Sequence, residues 1–344
     1  MSVLERIHAE IRDSGPMPFE RFMGLALYDL EGYFGSGELR STQAGDFLTS
    51  PEVSALFGST LGRYVAEEHS RIGDPFAVVE VGAGSGSLLR PLLDTVEVKA
   101  VAVETSPAAR VSLEGLRDVV VMDRLPEVIR GVVIANELLD NLPMALAQMT
   151  HAGWRERWVG IAGDRLELVD APVRKQVGVW LEAHAGDVPE GGWVEVQLEA
   201  ARWLDDVLRR LVAGSVVVID YGDSAEDLLP RRQDGTLRTY RAHHLGPHPL
   251  DEPGATDITA DVNFTALQST ALGAGVTATL SRQDEFLTEL GLRRALSEMR
   301  HTELEAARAG DDRERLRLRN LRTEAETLLH PRGLGDFRVL VCRR

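Results

Sequence analysis

The chain carries one cysteine, Cys342, among its 344 residues. A lone thiol makes no intrachain disulfide and no thiolate metal cluster, so neither staples this fold. Lysine is almost as scarce: Lys99 and Lys175 are the only two, and arginine supplies nearly all the positive charge. No stretch approaches the roughly 20 apolar residues that a bilayer-spanning helix needs. The opening segment, Met1 to Ile11, has apolar residues at 3, 4, 7 and 11, an amphipathic helix without the continuous apolar core of a signal peptide. The expected location is therefore the cytoplasm, with no membrane partner. A net charge of −16 also argues against nucleic acid, because an acidic surface repels a phosphate backbone.

The chain is long enough for one large or two modest domains, and 44% hydrophobic residues supply an ordinary core. Residues 1 to 74 read as a helical cap, with helix spacing over Pro18–Tyr28 and Ala55–Glu68 around a glycine-rich loop, 32–52. Ser50-Pro51 is a helix start. Residues 75–344 read as one α/β domain. Strands are expected at 77–81, 98–103, 118–122, 131–135 and 215–221, and helices at 86–94, 107–116 and 198–212. That alternation predicts a mostly parallel, doubly wound sheet. Two insertions interrupt it, at about 144–170 and 223–330. Gln148 to Val169 alternates around Gly163-Asp164, a hairpin turn. The charged stretch 283–329 reads as a solvated helical hairpin, with a homodimer surface as the alternative, and Phe337–Cys342 as a closing strand.

The most informative segment is Val78-Val79-Glu80-Val81-Gly82-Ala83-Gly84-Ser85-Gly86, with Glu104 at the end of the next strand. In a doubly wound sheet both strand ends open on one crevice. Gly82, Ala83, Gly84 and Gly86 let backbone approach a ligand, and a carboxylate such as Glu104 can accept both hydroxyl protons of a ribose. Ser87 replaces the third glycine of a dinucleotide fingerprint, and no Lys-Ser/Thr pair follows as in a P-loop. The pattern left is that of S-adenosylmethionine, with an ordinary tight turn as the plainer alternative. Asp123, after the third strand, is a candidate adenine contact. His243, His244 and His248 share a loop, but without cysteine or paired carboxylate nearby no metal is expected.

The fourth strand ends in Asn136-Glu137-Leu138-Leu139-Asp140, on the same crevice. Methyl transfer is an in-line displacement, so the protein chiefly positions two reactants. Asn136 can orient a nitrogen acceptor, and Glu137 and Asp140 offer carboxylates that suit a guanidinium fork. Acids at a helix start are favoured in any case, which is the competing explanation for both.

Several motifs recur together. Gly45-Asp46-Phe47-Leu48-Thr49-Ser50-Pro51-Glu52-Val53-Ser54 with Phe57-Gly58, then Glu80 to Gly86, Asn136 to Pro143, Trp154-Arg155-Glu156, Asp220-Tyr221-Gly222, Gly235-Thr236-Leu237-Arg238 and Pro253 to Thr259 follow in order. The chain resembles the MidA-type S-adenosylmethionine-dependent methyltransferases, which include mitochondrial complex I assembly factors that methylate protein arginine. The resemblance runs from about residue 15 to the C-terminus. It implies a class I methyltransferase (Rossmann-like) fold with an N-terminal helical cap. It also implies cofactor contacts at Gly82, Gly84 and Glu104, a cap loop bringing Thr49, Ser50 and Glu52 over the cofactor, and arginine of a partner protein as acceptor. Two positions depart from the family pattern: Asp261 stands where His is usual, and Gln197-Leu198 where Ser-Pro is usual. Both bear on the acceptor. A small-molecule N- or O-methyltransferase and a non-catalytic cofactor-binding assembly protein are the alternatives.

Overall fold

The structure, a computed structural model, describes residues 1–36, 49–241 and 244–344. Gly45 to Leu48 of the cap-loop motif and His243 lie outside the described residues. The central sheet has strands β1 (Ala77–Val81), β2 (Lys99–Val103), β3 (Val119–Met122), β4 (Ile129–Asn136), β5 (Leu211–Asp220), β6 (Thr277–Arg282) and β7 (Arg338–Arg343). Their order is β3-β2-β1-β4-β5-β7-β6. Strands β1 to β5 run parallel, and β7 is antiparallel to both β5 and β6.

Burial on both faces explains why the central strands are nearly continuous apolar runs. Val78, Val132, Ile134, Val217 and Ile219 point to one side, against the helix Ala55–Ile72, Phe286 and Leu287. Their neighbours Val79, Val133, Ala135, Val216 and Val218 point to the other, against helices Leu198–Arg210 and Phe264–Gly273. This period of two fixes the register, since a slip of one residue would exchange the faces.

The expected hairpin at 148–169 is present, with Gly163-Asp164 between Gly153–Ala162 and Arg165–Ala171. It belongs to something larger. Ala145–Thr150, Trp193–Val196 and Met17–Pro18 complete a 5-stranded antiparallel sheet. One face of it packs on the N-terminal helices through Ile7, Phe22, Met23 and Leu27, and the other on the helix Lys175–His184 through Val177, Trp180 and Leu181. The first 74 residues thus divide: residues up to Phe34 pack on this second sheet, whereas Ala55–Ile72 packs on the central one. Within 223–330, helix Phe264–Gly273 and β6 are parts of the central layer arrangement, and only the segment before them is an excursion. The charged C-terminal stretch does form two helices, Leu292–Ala309 and Asp312–Thr327. Among the described residues no helix is long and apolar enough to cross a membrane.

The second sheet is bolted to the excursion by a buried ion pair. Arg232 Nη1 donates to Glu195 Oε2 at 2.8 Å, with both side chains almost fully buried. Glu195 Oε1 also accepts from the backbone amides of Thr236, at 2.7 Å, and Leu237, at 3.2 Å. Removing one partner strands the other charge in low dielectric. Glu195→Ala is therefore expected to lower unfolding free energy by about 3–5 kcal/mol in urea titration; a loss under 1 kcal/mol would show that Arg232 finds water.

Candidate active site

Strand order reverses between β1 and β4, and the crevice at such a switch point is where doubly wound sheets bind ligands. The glycine turn follows β1 there. Gly82, Gly84 and Gly86 take φ of 73°, 51° and 78°, a left-handed backbone that side chains disfavour. Glu104, at the end of β2, is held from two sides: Gly84 N donates to Oε2 at 2.9 Å and Ser106 N to Oε1 at 2.8 Å. Its carboxylate is thereby fixed at the rim of a cleft between the two strand ends. Its remaining lone pairs could accept ribose hydroxyls.

Gly82, Ala83, Gly84, Glu104, Thr49, Asn136 and Glu137 all line this cleft. Gly86 does not; a Cβ there would meet Leu113 and Leu116, so its place is in helix–strand packing. Asp123 is exposed and off the cleft. Ser50 and Glu52 stand just behind the lining: Ser50 N donates to Glu137 Oε1 at 3.1 Å, and Ser85 Oγ donates to Glu52 Oε1 at 2.7 Å. Asp140 lies deeper, where its Oδ2 accepts from Thr259 Oγ1 at 2.6 Å and from the Tyr221 hydroxyl. Asp220 sits beside it, accepting from the amides of Leu139 and Asp140. Burial pushes both carboxyls up.

Glu137 has φ of +49°, rare for a residue with a side chain, and its N–H donates to the Ile219 carbonyl at 2.8 Å. Asn136 Nδ2 donates to Glu137 Oε1 at 3.1 Å. A carboxylate only accepts, so the amide must turn its nitrogen that way, which leaves the buried Asn136 Oδ1 without a partner. Burial, then the charge of Asp140, pushes the Glu137 carboxyl up to about 8, against the pull of the Ser50 and Asn136 hydrogen bonds.

Sequence reasoning missed Glu80 as a site residue. It lines the cleft from the penultimate position of β1, its Oε2 is buried without a partner, and burial followed by the charge of Glu104 raises it well above the usual carboxylate range. A lone carboxyl inside a run of valines was the available signal. Tyr28, Phe34 and Asn141 were missed too, and they reach the cleft only through tertiary packing. Asn141 is fixed by Nδ2 donating to Asp257 Oδ1 at 2.8 Å. Among the described residues no Lys, Arg or His lines the cleft, and none form a group that could hold a metal.

These residues fit S-adenosylmethionine. The glycine turn gives room, Glu104 suits a ribose, and the orphaned oxygen of Glu80 suits an ammonium group. A parallel sheet of this order with β7 reversed, opening at the switch point on a glycine turn and an acidic strand end, defines a class I S-adenosylmethionine-dependent methyltransferase. Residues 60–281 match the family described as "Putative S-adenosyl-L-methionine-dependent methyltransferase", and the chain belongs to that family. It is similar to a Burkholderia thailandensis protein whose crystal structure is bound to S-adenosyl-homocysteine, with TM-score 0.88 and 30% identity over 99% of this chain and 92% of that one. The human mitochondrial protein arginine methyltransferase NDUFAF7 is 27% identical over 84% of this chain and 73% of its own. Its Xenopus tropicalis counterpart is 27% identical over 85% and 76%.

Glu104→Ala is expected to weaken S-adenosylhomocysteine binding roughly 10- to 100-fold by calorimetry, from about 1.5–3 kcal/mol of lost charged hydrogen bonds. Unchanged affinity would remove Glu104 from the cofactor site.

Proposed function

We propose that the chain methylates a guanidinium nitrogen of arginine in a partner protein. The observation that carries this reading is the pair of acceptors at the end of β4: the orphaned Asn136 Oδ1 and the Glu137 carboxylate, whose Oε1 is already taken by Ser50 and Asn136. A guanidinium presents N–H donors in a planar fork and accepts nothing, so two acceptors side by side suit it. A cleft wall without a cation among its described residues favours a positively charged acceptor. The names of the relatives, protein arginine methyltransferases, support the same choice.

Bound S-adenosylmethionine supplies an electrophilic methyl group. Glu137 and Asn136 would grip the guanidinium, setting the direction of one nitrogen lone pair. As the methyl carbon's bond to the sulfonium sulfur broke and its bond to the nitrogen formed, S-adenosylhomocysteine would be left behind, and the nitrogen's proton would pass to the ionised Glu137 carboxylate. Asp140, off the cleft, would act through its neighbours rather than by contact.

Purified protein, methyl-labelled cofactor and host lysate test this directly. Label should appear in a discrete protein band and be released as methylarginine on hydrolysis. Glu137→Ala should reduce it at least 100-fold while keeping cofactor affinity, on the order of one lost charged contact plus one lost base. Normal turnover by that variant, or label confined to small molecules, would overturn the assignment. The pH dependence has a definite sign. Glu137 works ionised, so kcat/KM for the acceptor should climb as pH rises through about 8. A profile flat between about pH 6.5 and 9 would mean another group limits the rate.

A further inference from the structure

The short helix Ser50–Val53 is tied down at a point remote from both motifs discussed above. Gln283 follows directly on β6 and is fully buried. Its backbone N–H donates to the Phe337 carbonyl at 2.8 Å, which anchors it to the start of β7. Its side-chain Nε2 donates to Ser50 Oγ at 3.3 Å and lies 3.5 Å from the Leu328 carbonyl, at the foot of the C-terminal helices. Ser50 Oγ in turn lies 3.4 Å from Gln283 Oε1. A buried primary amide needs such partners, and this one takes them from segments 233 and 45 residues away in sequence. On the other side of Ser50, the backbone amide donates to Glu137 Oε1. Hydrogen bonds therefore run without a break from the C-terminal helices through Gln283 and Ser50 to the carboxylate at the end of β4.

We propose that Gln283 is a positioning residue for methyl transfer: by gripping the Ser50 hydroxyl it aims the Ser50 amide at Glu137 and keeps that carboxylate ready for the acceptor. The proposal rests on the reading of Glu137 given above. Geometry alone sets its direction. Among the described residues Glu137 is the one carboxyl of the cleft whose backbone donor comes from the N-terminal segment; Glu104 takes its amides from Gly84 and Ser106, next to the strand ends themselves. Without Gln283 the Ser50 hydroxyl loses its hold, the amide drifts, and Glu137 keeps only the Asn136 donor. The other ionisable groups around Glu137 do not replace it. Asp140, Asp220, Glu80 and Glu104 are acidic, and Tyr28 donates its hydroxyl to the Asn141 carbonyl at 3.1 Å.

The test reads Glu137 itself in the full chain. With glutamate labelled at the carboxyl carbon and S-adenosylhomocysteine bound, NMR follows each carboxyl against pH, and the Glu137→Gln spectrum identifies the signal. Gln283→Met keeps the volume and removes the amide; Ser50→Ala keeps the backbone N–H and removes the hydroxyl. In both, the Glu137 midpoint should rise by about one pH unit, the size of one lost hydrogen bond to a carboxylate. Labelled-methyl transfer to lysate protein should then fall about tenfold near pH 7 and return towards wild type near pH 9.5, a rescue that loss of folded protein would not give. A midpoint unmoved in both variants overturns the proposal, and if Gln283→Met fails to fold, Ser50→Ala decides alone. Failure of the Glu137 reading shows separately, as normal transfer by Glu137→Ala.

Discussion

Carboxyl groups crowd one edge of the sheet, and no described cation stands among them in the cleft. Glu80, Glu104, Glu137, Asp140 and Asp220 would repel one another strongly in a low-dielectric setting. The fold answers this group by group. Glu104 receives two backbone amides, Asp220 receives those of Leu139, Asp140 and Tyr221, and Asp140 receives two hydroxyls. Glu137 receives one backbone amide and one side-chain amide, and Glu80 is left with an unmatched oxygen. Two of them keep a buried oxygen without a partner, Glu80 Oε2 in the cleft wall and Asp140 Oδ1 beneath it. A sulfonium cofactor bearing an ammonium group and the guanidinium acceptor proposed above would each bring a cation to this edge.

The surrounding architecture serves that edge. Parallel strands bring the ends of β1, β2, β4 and β5 to the same side, and the order reversal parts them to make room. The N-terminal region contributes from two directions. Tyr28, whose hydroxyl donates to the Asn141 carbonyl, comes with the helices on the second sheet, while Thr49 and Pro51 come with the segment leading into the central layer. Phe34 packs on Tyr28 with ring centroids 5.6 Å apart, and both rings line the cleft. The glycine turn and the end of β4 are thus bridged by one short piece of chain, whose Glu52 meets Ser85 and whose Ser50 meets Glu137.

How much of this could be read from the residues follows from burial. Strands β1, β4 and β5 announce themselves because both faces are covered, giving nearly continuous apolar runs, whereas β3, an edge strand with Val120 exposed, is legible because Val119 to Met122 are apolar throughout. Strand β6, Thr-Ala-Thr-Leu-Ser-Arg, went unread because it is an edge strand with no fully buried residue and with Thr277 and Thr279 exposed, so it carries little apolar signal. Helix 86–94 shrinks to Leu89–Leu93, since the glycine turn consumes the residues before it. The second sheet was reduced to its hairpin because Trp193–Val196 is only 4 residues long and pairs with Ala145–Gln148, far away in sequence, so its Gly191-Gly192 turn does not reveal a partner. At the site, residues carried by local motifs were legible. Those delivered by backbone geometry were not: the donor to Glu137 is the amide of Ser50, a property that no side chain advertises.

The two departures from the family pattern meet each other in space. Gln197 Nε2 donates to the Asp261 carbonyl at 3.1 Å, and its Oε1 accepts from Asn263 N at 2.8 Å. A Ser-Pro pair offers no side-chain amide for that bridge. The Asp261 carboxylate is turned to Arg231 and Arg238, and neither Gln197 nor Asp261 lines the cleft. Their influence on the acceptor would therefore be indirect. The run they brace also contains Thr259, which donates to Asp140, and Asp257, which accepts from Asn141. A change at 197 or 261 would reach the acceptor by shifting Thr259 and Asp257, the layer beneath Glu137, while the cofactor turn stands on β1 and β2 and is carried by different contacts.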